Sequence, residues 1–217
     1  MIEDLKFQQL EAACRYMADN KSLLPTYGDI FEFGVYNGAS LTKLLKLLDK
    51  YQINRGIIVG IDSFEGLPET DPGFSKFTKG AYKSSKTLED LTNQFNKEVY
   101  FIKKQFKDLT HLDAAPYLQA QLIHIDCDLY SSTVDALDFM FKNKLVQPGT
   151  LIAYDEFAID EDNYIISEFD KNKGEVHAHF EIMEKYRCIA KEVWHYIYKD
   201  KDLGTPVRQS LFEVVSL

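Results

Sequence analysis

Apolar positions along this chain follow two rhythms, short continuous runs and a spacing of three to four residues. Leu5, Leu10, Ala13 and Met17 recur at helical spacing, which predicts an amphipathic opening helix over residues 4–19. The run Asp29-Ile30-Phe31-Glu32-Phe33-Gly34-Val35 reads as a buried strand entering a glycine turn. Leu41, Leu44, Leu45 and Leu48 then form one face of a helix, with Asn37 as its candidate cap. Further apolar runs at 57–61, 99–102, 122–125 and 150–154 predict four more strands, and helical patterns at 87–97, 131–144 and 175–185 alternate with them. Two late β-rich runs, 193–198 and 209–215, flank Asp200-Lys201-Asp202-Leu203-Gly204-Thr205-Pro206 and predict a closing antiparallel pair.

Strands apolar on both faces, separated by helices, predict an α/β fold with a mostly parallel, doubly wound sheet covered on both sides. A chain of 217 residues with 45% hydrophobic content suits one domain over 1–217. Residues 1–27 form its helical extension, and 69–86, with Phe74, Phe77 and Tyr82 among Gly, Pro, Ser and Lys, is a candidate lid loop. Lys and Arg number 25 against 34 Asp and Glu, giving a net charge of -9 with no basic stripe, so no nucleic-acid partner is expected. No segment reaches the roughly 20 apolar residues of a membrane span, and the start Met1-Ile2-Glu3-Asp4 does not resemble a secretory signal. The expectation is a cytoplasmic protein without a membrane partner. Cys14, Cys127 and Cys188 are odd in number and widely spaced, which suggests neither disulfides nor a zinc site. The oligomeric state stays open, a homo-oligomer included.

Candidate chemistry sits at the ends of the predicted strands. Glu32-Phe33-Gly34-Val35-Tyr36-Asn37-Gly38-Ala39-Ser40 places glycines where backbone can approach a ligand, with a helix N-terminus behind them. It matches neither the dinucleotide-binding nor the phosphate-cradling glycine pattern, and on its own it is more often a tight turn. The second strand ends in Asp62-Ser63-Phe64-Glu65-Gly66-Leu67-Pro68, where an acid can accept hydrogen bonds from both hydroxyls of a ribose. Two later strands end in Asp126-Cys127-Asp128 and Asp155-Glu156. Four converging carboxylates require raised pKa values or a bound cation, and a hard ion such as Mg²⁺ or Mn²⁺ fits oxygen ligands. The plainer alternative is that one of them, Asp128, caps the helix after it. His177 and His179 open the helix at 175–185, within reach of an acceptor pocket, although solvated histidines are the commoner case there; His111, His124, Trp194 and the cysteines read as core or surface.

In order along the chain, Glu32-Phe33-Gly34-Val35, the Asp62–Pro68 segment, Ile125-Asp126-Cys127-Asp128-Leu129-Tyr130-Ser131-Ser132-Thr133 and Asp155-Glu156-Phe157 resemble the signatures of the macrocin O-methyltransferase family. The resemblance spans about residues 28–185 and implies a Rossmann-like class I methyltransferase fold, S-adenosylmethionine as cofactor, Mg²⁺ (or Mn²⁺), and a hydroxylated, sugar-like small-molecule acceptor. It implies that Glu32, Gly34 and Ser40 line the methionine end of the cofactor and Asp62 holds its ribose, with Tyr36, Gly38, Ser63, Phe64 and Asp126 completing the set. Asp126, Asp128, Asp155 and Glu156 are the metal candidates, and Asp128, with Asp126 as alternative, the catalytic base. The family pattern has two aspartates where this chain has Asp155-Glu156, and a glycine where it has Lys104 or Gln105. The competing readings are a catechol-type O-methyltransferase acting on an aromatic diol, a nucleotide-dependent oxidoreductase on the same sheet, and a non-catalytic methyltransferase fold.

Overall fold

Seven strands form one sheet in the order β3-β2-β1-β4-β5-β7-β6. The structure is a computed structural model, and it describes residues 6–25, 27–70, 76–159, 174–201 and 203–217. Helix α1 (Gln8–Asp19) is followed by β1 (Asp29–Phe33), α2 (Ala39–Lys50), β2 (Ile58–Asp62), α3 (Leu88–Gln94) and β3 (Val99–Lys103). A 3₁₀ turn at Phe106–Asp108 and the short α4 (His111–Ala114) lead into β4 (Ala120–Ile125), α5 (Tyr130–Lys142) and β5 (Leu151–Ile159). Helix α6 (Gly174–Lys185) and the hairpin of β6 (Ile189–Lys199) and β7 (Pro206–Ser216) close the chain.

Strands β1 to β5 run parallel, and β7 pairs antiparallel with both β5 and β6. The predicted sheet and its closing pair are therefore present, with the pair longer than the 193–198 and 209–215 runs. One apolar layer packs β1, β4 and β5 against α5 and α6 through Phe33, Ile125, Leu137, Met140, Tyr154 and Ile182. The opposite layer packs α1 and α2 onto the same strands through Leu10, Met17, Leu41, Leu44, Ile30 and Leu122. This two-sided burial explains why β1 and β4 carry no polar alternation. Among the described residues no helix is long and apolar enough to cross a membrane.

Three local expectations need correction. Asn37 does not cap α2; Gly38 occupies the cap position, and the Asn37 amide oxygen instead accepts from Ser84 Oγ and the Ser85 N–H and Oγ. Asp128 does not cap α5, whose cap residue is Leu129 with no side-chain bond. Strand β5 does not stop before its acids but continues to Ile159, with a register break against β7 between Tyr154 and Ala158. Such an irregularity lifts the strict alternation of a strand and re-aims neighbouring side chains, here Asp155 and Glu156. The start of the predicted opening helix, including Leu5, lies outside the described residues.

His179 is buried in the core, not solvated: its Nδ1 lies 2.8 Å from the Tyr154 hydroxyl, and Phe157, Phe180 and Phe212 pack around the ring. Burial pushes its pKa from 6.5 down to about 3. The unfolded chain therefore takes up this proton first as pH falls; the contribution to stability is complete above the unfolded value and is lost through the window down to about 3. His179→Phe is expected to lose less stability than the parent between pH 6.5 and 4.5, by up to about 1.4 kcal/mol per pH unit. Urea unfolding at both pH values measures the difference, and parallel profiles would contradict the assignment.

Candidate active site

The strand order reverses direction between β1 and β4, and in an open α/β sheet ligands bind beyond the carboxyl ends of the strands at that point. A cleft of about 960 Å³, including the part open to solvent, lies there. Its wall is built from Gly34 and Tyr36 after β1, Asp62 and Ser63 at the end of β2, Asp126 and Asp128 after β4, and Asp155 and Glu156 within β5. Glu32, Gly38, Ser40 and Phe64 lie behind this wall and are buried.

The half formed by the ends of β1 and β2 is held by backbone bonds. Gly34 N–H donates to Ile61 O at 3.0 Å and Asp126 N–H to Phe33 O at 2.9 Å, so the ends of β1, β2 and β4 are drawn together. Asp62 Oδ2 accepts the N–H groups of Val35 and Tyr36 at 2.8 and 2.9 Å, and its Oδ1 accepts that of Phe64 at 2.7 Å. These bonds use three of the roughly four acceptor positions of the carboxylate, leaving one for a ligand. Tyr36, Phe64 and Asp128, one after each of β1, β2 and β4, adopt positive φ of 51°, 59° and 63°. Left-handed non-glycine residues are uncommon and cluster at functional sites.

The other half is acidic. One oxygen each of Asp126, Asp155 and Glu156 lie within 4.8 Å of one another. Burial, then repulsion from Asp155, pushes Asp126 and Glu156 well above the carboxylate range. Burial and Asp155 lift Asp128 to about 7 although Lys6 opposes them. Asp155 is itself raised by burial, against the opposing pull of Lys6 and bonds from Gln9 and Gln209. Glu156 Oε2 is buried with no hydrogen-bond partner, which is costly unless something else satisfies it. Such a set of hard oxygen donors suits a divalent cation.

Several residues of the cleft escape a reading of local pattern. Lys6 lines it from the N-terminal side, where burial pulls its pKa down but Asp155, Glu156 and Asp126 outweigh that and raise it. Asp200 and Leu203 enter from the β6–β7 connection. Glu175 at the start of α6 is buried and accepts the Cys127 N–H at 3.3 Å, between Asp126 and Asp128, with the Glu156 N–H also turned to it. Glu32 and His124 face each other in register across β1 and β4, with Glu32 Oε2 2.9 Å from His124 Nδ1 and Glu32 Oε1 accepting Ser40 Oγ at 2.8 Å. A buried acid and a buried histidine at matching register in two strands rich in apolar residues are the one signal that could have revealed this pair. Lys104 and Gln105, where a glycine was the family pattern, both line the cleft, and Lys104 pairs with Asp113 at 2.6 Å. From the candidate lid, Tyr82 lines the cleft edge-on to Tyr36 and to the buried Phe77, whereas Phe74 lies outside the described residues. His177 stacks on Tyr130 and does not reach the cleft.

A 3-2-1-4-5-7-6 sheet with its seventh strand reversed, carrying a glycine turn and an aspartate at the switch point, defines a class I methyltransferase fold. Residues 1–188 match the family described as Macrocin-O-methyltransferase (TylF), and the chain belongs to that family. It is 29% identical over 145 residues, 61% of its length, to the 8-demethyl-8-(2,3-dimethoxy-alpha-L-rhamnosyl)-tetracenomycin-C 4'-O-methyltransferase of Streptomyces olivaceus, and the match spans 54% of that relative. Among solved structures, the O-methyltransferase NovP superposes with a TM-score of 0.64 at 19% identity, covering 97% of this chain and 79% of NovP. CalS11, a calicheamicin methyltransferase, gives 0.56 at 16% identity over 94% of this chain and 77% of its own.

Proposed function

We propose that this chain is an S-adenosylmethionine-dependent O-methyltransferase that uses a divalent cation and acts on a hydroxyl of a sugar-like or polyhydroxylated small molecule. The observation that carries the reading is the meeting, in one cleft, of a glycine-and-aspartate nucleoside wall with a carboxylate triad that includes a buried, unpaired oxygen. The rhamnosyl acceptor in the name of the Streptomyces relative supports the sugar-like class.

When bound, S-adenosylmethionine supplies an electrophilic methyl group and the cation supplies Lewis-acid polarisation of the acceptor hydroxyl. The chain does the rest. Asp62 holds the ribose with its remaining acceptor position, and the positive-φ turn at Gly34 lets the backbone lie against the cofactor. Ser63 and Tyr36 line the same wall. Glu32, Ser40, Gly38 and Phe64 shape that wall from behind. Asp126, Asp155 and Glu156 are the ligand set, Mg²⁺ or Mn²⁺ being the ions their chemistry suits. Asp128 stands outside the triad on the same wall, and its carboxylate accepts the hydroxyl proton. Tyr82 and the segment around it close over the cofactor and exclude water.

Calorimetric titration with S-adenosylmethionine and with NADH, followed by transfer of a labelled methyl group to rhamnosylated acceptors with and without EDTA, tests the proposal. Failure to bind S-adenosylmethionine would overturn it, whether or not NADH binds, and transfer indifferent to EDTA would remove the cation. Asp62→Ala is expected to weaken S-adenosylmethionine binding by at least about tenfold, because the ribose acceptor and the brace on three loop N–H groups disappear together. Titration of the variant measures this, and an unaltered dissociation constant would exclude Asp62 from the cofactor site.

A further inference from the structure

Gln9 is a fully buried amide on the face of α1 that also carries Leu10, Ala13, Cys14 and Met17. Burial of a polar side chain is unfavourable without partners, and those of Gln9 are specific. Its Nε2 donates to Asp155 Oδ1 at 2.7 Å and lies 3.1 Å from His124 Nε2. The amide cannot be turned over, because Oε1 would then face a carboxylate. His124 Nε2 must therefore be the acceptor, which places the ring proton on Nδ1, where it is donated to Glu32 Oε2. From the opposite side Gln209 of β7, also fully buried, donates its Nε2 to the same Asp155 Oδ1 at 2.7 Å. Two amide donors on one oxygen leave Asp155 Oδ2 as the oxygen available to a ligand. The chain of bonds continues through His124 and Glu32 to Ser40, behind the glycine turn.

We infer that Gln9 and Gln209 are positioning residues for the divalent cation, pinning Asp155 by one oxygen so that the other is presented to the site, with Gln9 tying that carboxylate to the Glu32–Ser40 pair behind the cofactor wall. The inference rests on the cation reading above. It explains why α1, which contributes no ligand, spends a buried position on an amide. Partners that orient ligating carboxylates are worth about 10- to 100-fold in metal affinity.

The test is Mn²⁺ binding followed by electron paramagnetic resonance on the full chain, parent against Gln9→Met and Gln209→Met, which keep volume and remove the amide. The expected result is a roughly 10-fold or greater rise in the Mn²⁺ dissociation constant in either variant. Turnover at limiting Mg²⁺ should fall accordingly and recover at high Mg²⁺, so that the half-saturating cation concentration moves and kcat does not. Gln9→Glu, which sets a carboxylate against Asp155, should lose more affinity than Gln9→Met. Folded variants that bind Mn²⁺ like the parent overturn the positioning role while the cation reading stands. A parent protein that binds no Mn²⁺ overturns both. Because the two glutamines come from different elements, misfolding of one variant leaves the other to decide.

Discussion

Asp155→Asn is expected to lower cation-dependent methyl transfer by more than about 100-fold, beyond the upper end of what losing a mere outer partner of a ligand costs. The substitution is nearly isosteric and keeps an Oδ1 that can accept from Gln9 and Gln209, so the surrounding hydrogen bonds survive. What it deletes is a charge and a ligand oxygen. Asp155 heads the carboxylate repulsion acting on Asp126, Asp128 and Glu156. Removing that charge relieves the protein when no cation is bound, and each 1 kcal/mol of relief should raise its melting temperature by about 2–4 °C. A substitution that stabilises the metal-free protein while destroying turnover marks a residue retained for chemistry at the expense of stability. Calorimetric melting in EDTA and a methyl-transfer assay at saturating Mg²⁺ read the two effects separately. Undiminished turnover would remove Asp155 from the site, and a lowered melting temperature would mean that the cluster is held by its own hydrogen bonds.

Much of this arrangement is readable from local pattern, for a physical reason. Buried parallel strands are apolar on both faces, so Asp62, Asp126 and Asp155 stand out where they interrupt or end such runs, and parallel topology puts those ends on one edge. Periodicity carries no information about pairings made across the chain. Gln9 meets Asp155 at a separation of 146 positions and Glu32 meets His124 at 92, so these polar core residues look like ordinary members of a helix face and two strands. The irregularity in β5 is equally hidden. An acid pair at the end of an apolar run reads as a strand terminus, yet pairing with β7 carries the strand on to Ile159. Lys6 and Asp200 are likewise brought to the cleft by segments remote from it in the chain. The short α4 escapes because four residues are too few for a period, although Thr110 and Asp113 form a capping box.

Gly34→Ala should cost both cofactor binding and stability, and a second glycine separates the two reasons. At Gly34, φ is +88°, and a methyl group built there overlaps the Asp126 carbonyl oxygen. Gly80 has a similar φ of +81° with nothing within 4 Å of the same methyl position. Gly80→Ala therefore reports the cost of a left-handed L-residue alone, about 1–2 kcal/mol. Gly34→Ala adds the separation of β1 from β4, because neither backbone can yield without breaking the Asp126 N–H bond to Phe33 O. The expected result is at least a tenfold loss of S-adenosylmethionine affinity for Gly34→Ala, together with a melting temperature below that of Gly80→Ala. Asp126 moves with its backbone, so the Gly34 variant should also need more Mn²⁺ to saturate. Equal behaviour of the two variants would mean that the close approach of β1 and β4 is not what shapes the cofactor wall.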